Sequence, residues 1–334
     1  MPPKNGVGPA VSVLLWPVSW LLLSACGARG SPPAEKEKPA CLTEAYSDDA
    51  TYDAVFDKAC HNCYDPQWAA AFGDLPDLVQ TLEIDIFDNA QTSILQTAGS
   101  MPGNWYVRHD SLGENISNCS GSGTLRDCLL DVHGWTERNP DHDVLTIYMD
   151  KKEEWAKDRG PADLDALVES VFPRSALFAP GELQGSFSSP REAVVSQGWP
   201  RMRDLRGKVI LVMTNTNRFQ SEYVAQRGAD ALFFVGPATK GEADITGTPS
   251  GFTDQTGPWV VFHNMGEDAL DLVPLARSCR RVSRVWGLDE TDSSYQEALE
   301  HCVNRVALFH FQYPAFQGWR VRGILAPNPH SGSF

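Results

Sequence analysis

Short apolar, β-branched runs alternate with helical stretches along most of this chain, and that alternation limits its fold more than any other feature. Runs with strand character fall near residues 54–59, 82–86, 105–107, 144–149, 208–213, 259–262, 282–286 and 303–310. Helical stretches are expected at 76–81, 125–132, 164–171, 222–227, 266–276 and 294–301, the last capped by residues 289–291. Repeated strand–helix units call for a parallel sheet with helices outside it. Eight strands predict an α/β fold of the (β/α)8 TIM-type barrel kind, regular or distorted. An open doubly wound sheet is the competing architecture, but no GxGxxG and no phosphate loop follows the first strand. The 334 residues suffice for one such barrel.

The second run, LEIDIFD, carries the first chemical signal. Alternate residues of a strand share a face, so Glu83 and Asp85 project side by side while Leu82, Ile84 and Ile86 face the other way. Two adjacent carboxylates repel unless a proton or a cation lies between them. The preceding strand ends at His61 and Asn62, and the Asn62 carbonyl adds a third oxygen ligand. An all-oxygen set suits Ca²⁺ or Mg²⁺ rather than zinc. The third run ends at His109 in WYVRHD and the fourth at Asp150 in VLTIYMDKK. Barrel active sites lie at the C-terminal strand ends. Singly, each of these residues has an ordinary explanation: a loop histidine, a solvated face at Asp85 or Asp88, a helix start at Asp150. A polar residue at four successive strand ends is a candidate site. Residues after Pro161 read as scaffold, with a long loop over 236–257. Trp105, Trp135 and Trp155 read as core rather than as a lipid-facing rim.

The set HN-x-Y, then LE-x-D-x-x-D, then a His after the third strand and an Asp closing the fourth, resembles phosphoinositide-specific phospholipase C, in particular its bacterial Ca²⁺-dependent branch. The similarity extends through WTERNPDHDVLTIYMDKK and GWPRMRDLRGKVILVM, and weakly through RVSRVWGLDE, from about Cys60 to Gln312. The last strand, VNRVALFHFQYP, departs from the small-residue and Ser/Thr-Asp ending usual in that family. The resemblance implies Ca²⁺, with Mg²⁺ as the lesser alternative, held by Asn62, Glu83, Asp85 and Asp150. It implies attack by the inositol 2-hydroxyl on phosphorus, giving diacylglycerol and a cyclic inositol phosphate. His61 would hydrogen-bond the phosphoryl oxygen, His109 would protonate the leaving group, and Glu83 or Asp150 would act as base. Lys152 and Arg284 are the substrate-binding candidates. A barrel glycerophosphodiester phosphodiesterase or a sphingomyelinase D-like enzyme also combines two histidines with a Glu-x-Asp pair. Asn62-Cys63 stands where glycerophosphodiesterases usually carry Arg-Gly, which favours the phospholipase C. A non-catalytic surface lipoprotein of the same fold is the remaining alternative.

The N-terminus reads as an address. Residues 10–23 are an apolar run of signal-peptide length ending Leu23-Ser24-Ala25-Cys26, which resembles a bacterial lipobox. The expected organisation is a signal peptide over 1–26 with a lipidated Cys26, a tether over 27–40, the barrel over 41–325 and a frayed tail over 326–334. Gly27 in place of Asp favours outer-membrane sorting of an exported, membrane-anchored monomer that acts on phospholipid. A net charge of −15 argues against a nucleic-acid partner. Eight cysteines suit an oxidising compartment. Cys119 and Cys128 flank a short turn and form the best disulfide. Cys279 and Cys302 bracket one helix and could pair. Cys41 is expected to reach Cys60 or Cys63, leaving one free thiol.

Overall fold

The structure is a computed structural model that describes residues 41–93, 96–110, 115–312 and 322–325. The expected signal peptide, tether and tail lie outside the described residues, and no described helix is long and apolar enough to cross a membrane.

Eight parallel strands form a nearly closed barrel: β1 (Val55–Cys60), β2 (Thr81–Phe87), β3 (Leu145–Lys151), β4 (Val209–Asn215), β5 (Phe233–Val235), β6 (Phe262–Gly266), β7 (Val282–Trp286) and β8 (Arg305–Leu308). β8 pairs with β1 over four residues, from Arg305 opposite Asp57 to Leu308 opposite Cys60. β5 and β6 are the loosest seam, joined by isolated bridges such as Val235 to Val260. Strand alternation separates two apolar layers. Tyr148, Ile210, Val212, Phe234, Phe262 and Val282 fill the barrel with Tyr52 and Trp199. Leu82, Ile147, Leu211, Phe233, Met265 and Val306 point outward to the helices. At the base, Arg322–Leu325 pairs antiparallel with the first half of β1 on one side and with Leu42–Ala45 on the other. Arg322 reaches Asp57 there at 2.6 Å.

Several sequence expectations are corrected. The run at 105–107 supplies no barrel strand. Tyr106–Val107 pairs antiparallel with the end of β2, Val107 opposite Ile86. Its place in the barrel goes to β5, whose three residues carry no readable period. The strand expected at 259–262 starts later, because Gly257–Trp259, with Pro258 in it, forms a 3-10 turn. The helix expected at 76–81 is the 3-10 segment Phe72–Asp77, and Thr81 already belongs to β2. The loop over 236–257 contains a short helix, Glu242–Thr246. Helices Leu125–Arg138, Pro161–Glu169 and Asp292–Glu300 fall where expected, and the Thr291 hydroxyl caps the last by accepting from the Ser294 amide at 3.3 Å.

The cysteine pairing is resolved differently as well. Cys119 bonds Cys128 as expected. Cys41 bonds Cys302, not Cys60 or Cys63, and Cys279 stays free rather than joining Cys302. Cys60 bonds Cys63 across three residues.

Candidate active site at the barrel mouth

The residues that β2 and β3 present to the barrel interior converge at its C-terminal end. Register places Asp85 opposite Asp150. Glu83, Asp85 and Asp150 each offer a carboxylate oxygen, and these oxygens lie within 4.8 Å of one another. Glu83 and Asp85 are buried, at 2% and 0% exposure. Burial, then the carboxylates of Asp150 and Glu83, pushes the Asp85 carboxyl well above the usual carboxylate range. Its Oδ1 has no hydrogen-bond partner. A group of this kind is costly unless a cation completes it.

Lys152 supplies one cation. Its Nζ lies 2.9 Å from Asp85 Oδ2 and 2.8 Å from Asp150 Oδ2. Burial opposes its charge, but Asp150 and Asp85 outweigh burial and raise its pKa above the ordinary lysine value. Lys152 thus lies among the proposed metal ligands, not out in solvent at a helix start. Arg284 of β7 is the second cation, 2.9 Å from Glu83 Oε2 and bonded through Nη1 to Asn264 Oδ1 at 2.8 Å. The chain after Pro161 is therefore more than scaffold: it provides Arg284, Asn264 and Thr214, whose hydroxyl donates to Asp150 Oδ1.

His61 and Asn62 enter from the turn after β1. The Cys60–Cys63 disulfide brackets this turn, and Asn62 takes a left-handed φ of 53°, a conformation Asn tolerates better than most residues. The Asn62 amide donates to Glu83 Oε2 at 2.7 Å. His61 Nε2 lies 3.9 Å from the same oxygen. Burial lowers the His61 pKa below its ordinary value, with Glu83 opposing, so the ring is neutral near pH 7. Its ring stacks on Phe309 at 4.2 Å between centroids. Trp286, 40% exposed, and Trp68 complete an aromatic rim around His61 and Phe309. Scattered single aromatics gave no sequence signal for that rim. Trp105 and Trp135 are buried as expected, and Trp155 is partly buried against the core.

His109 follows the Tyr106–Val107 strand and is exposed. It makes no hydrogen bond or ion pair with the acidic cluster. Asp88 is no solvated carboxylate: it is fully buried, pairs with Lys151 and Arg159, and accepts from Trp105 Nε1 at 2.9 Å. It serves the structure beside the site.

The donors present fit a hard cation. Three carboxylates are an all-oxygen set, Asn62 joins them through its backbone N–H to Glu83, and the unpartnered Asp85 Oδ1 is available to an ion.

A parallel barrel with an acidic cluster, a half-buried histidine and flanking cations at its C-terminal mouth defines a TIM-barrel phosphodiesterase. Comparison narrows the class. A family model described as "Phosphoinositide phospholipase C, Ca2+-dependent" matches residues 114–246. The calcium-dependent phosphoinositol-specific phospholipase C from the Gram-negative bacterium Pseudomonas sp, in apo form with myoinositol, is 33% identical. That alignment covers 86% of this chain and 100% of the other, with a TM-score of 0.77. A Streptomyces antibioticus Ca²⁺-dependent phosphatidylinositol-specific phospholipase C shares the fold at 19% identity and a TM-score of 0.66, covering 82% of this chain and 99% of that one. No curated protein matches the chain. The chain belongs to the Ca²⁺-dependent phosphoinositide-specific phospholipase C family and is a phosphodiesterase enzyme.

Proposed function

We propose that the chain cleaves phosphatidylinositol-type phosphodiesters by the phospholipase C route, releasing diacylglycerol and a cyclic inositol phosphate. The observation that carries this reading is the convergence of Glu83, Asp85 and Asp150 within 4.8 Å beside Asn62 and His61. Asn62, Glu83, Asp85 and Asp150 would hold Ca²⁺. When bound, the ion supplies positive charge that lowers the pKa of the inositol 2-hydroxyl and offsets charge on the phosphate.

The neutral His61 ring donates a hydrogen bond to a phosphoryl oxygen, where charge grows in the transition state. Its stacking on Phe309 and the turn locked by Cys60 and Cys63 keep the ring oriented. A carboxylate of the cluster, Glu83 or Asp150, accepts the 2-hydroxyl proton. His109, two residues beyond the short strand that runs beside the end of β2, protonates the departing diacylglycerol oxygen. Arg284, buried against Glu83 and Asn264, holds Glu83 in place and adds positive charge beneath the mouth, and Lys152 contributes a second positive charge toward phosphate. Trp68, Trp286 and Phe309 form the apolar side of the mouth, suited to the lipid end of the substrate.

The lipobox-like Leu23-Ser24-Ala25-Cys26 supports placing this enzyme on a membrane as an exported lipoprotein. Purified protein incubated with phosphatidylinositol, glycerophosphodiesters and sphingomyelin, with Ca²⁺ or chelator, tests the function. Ca²⁺-dependent cyclic inositol phosphate from phosphatidylinositol alone supports it. Turnover of another lipid, or of none, removes it.

A further inference from the structure

Behind β6 and β7, on the side facing away from the acidic cluster, two arginines and a histidine gather without an acid. Strand register starts the geometry: His263 pairs with Ser283, and Arg281 lies two residues before Ser283, on the same face of β7's chain. His263 is 0% and Arg281 is 4% exposed. His263 Nδ1 is 2.8 Å from the Thr239 hydroxyl. Arg191, from the helix Pro190–Ser196, is tied to the Gly247 carbonyl through Nη1 at 2.7 Å.

The remaining nitrogens are unmatched. Arg281 Nε and Nη1, Arg191 Nε and Nη2, and His263 Nε2 are all buried with no hydrogen-bond partner. No carboxylate among the described residues forms an ion pair with Arg191 or Arg281. Burial, with Arg191 adding to it, lowers the Arg281 pKa to about 9, and both arginines depress His263 after burial does. Arg281 therefore remains charged at neutral pH. The other group that faces both guanidiniums is Cys279, a free thiol. The buried Arg281 and the half-buried Arg191, each with two solvent-sealed nitrogens left open, are costly alone and match an oxyanion in charge and donor geometry.

We propose that Arg191, Arg281 and His263 form a binding site for a small inorganic oxyanion of sulfate or phosphate type, separate from the active site. The anion completes the four open guanidinium donors, with the His263 ring beside them, and braces β6 and β7 from behind. The front of the same two strands carries Asn264 and Arg284, so the anion steadies the wall of the active site without touching substrate.

Sulfate is the probe, used on the full chain in chelator, with sodium chloride at matched ionic strength as control. Sulfate at about 100 times its Kd raises the melting temperature by roughly 5 °C more than chloride does. Arg281→Gln loses that difference, whereas Cys279→Ala keeps it. An equal response to sulfate and chloride overturns the site, as does loss of the sulfate response in Cys279→Ala, which would make the thiol the partner. If Arg281→Gln does not fold, selenate-grown crystals of the unaltered protein decide. An anomalous peak within hydrogen-bond distance of Arg191, Arg281 and His263 supports the site, and no peak there removes it.

Discussion

Arg284 Nη2 lies 2.9 Å from Glu83 Oε2, and these side chains are 1% and 2% exposed. The same oxygen accepts from the Asn62 amide at 2.7 Å. Glu83 Oε2 is thus engaged by protein on two sides, which fixes the carboxylate beside Asp85 and Asp150. The relationship spans β2 and β7, so the geometry of the acidic cluster depends on strands far apart in sequence.

Arg284→Met leaves Glu83 buried without its ion-pair partner. Unfolding in urea should show a loss of about 3–5 kcal/mol, the usual cost of breaking a buried pair from one side. Arg284→Lys should not restore turnover, because an ammonium cannot bridge Glu83 and Asn264 as the guanidinium does. Wild-type stability in the Met variant would mean that Glu83 does not need Arg284.

Lys152 lies between Asp85 and Asp150, where a metal would also be attracted. Lys152→Met should raise Ca²⁺ affinity at least about tenfold by removing a competing charge. The metal-free variant should lose about 1–3 kcal/mol. Calorimetric titration and thermal melts in chelator measure both. Weaker Ca²⁺ binding in this variant would place Lys152 among the groups that help the ion rather than compete with it.

His109→Ala should reduce turnover by about 10²–10⁴-fold, the range for loss of a general acid. Binding to phosphatidylinositol vesicles should be unchanged. Unaltered turnover would take His109 out of the reaction and leave leaving-group protonation to another residue.

The Cys41–Cys302 bond joins residues 261 positions apart and ties the base of the barrel together. Loop-closure entropy sets an upper estimate of about 5 kcal/mol for its contribution. The double variant Cys41→Ser with Cys302→Ser should melt well below the unaltered protein, and reductant should have little further effect on it beyond that of the two shorter bonds.

Local patterns in the chain carried much of this structure. LEIDIF alternates with period two, so its strand and the shared face of Glu83 and Asp85 were readable, as was Asp150 at the end of a continuous apolar run. Asn62 and His61 were readable from their place after β1. Long-range relationships were not. Nothing local marks Cys302 as the partner of Cys41, or Arg284 as the partner of Glu83. Phe233–Val235 is too short for a period to show, while Trp105–Val107 has strand composition but pairs antiparallel at the end of β2. Composition reports that a segment is extended, not which edge it joins. Thr214 was hidden because a threonine ending a strand is ordinary until Asp150 is known to be opposite it.

The most direct test is the product released from phosphatidylinositol vesicles by the purified enzyme, followed by phosphorus NMR with Ca²⁺ and with chelator. The proposed reaction gives a cyclic inositol phosphate that appears with Ca²⁺, vanishes with chelator and is lost in Asp85→Asn. Acyclic inositol phosphate as the first product, or equal turnover in chelator, would contradict it.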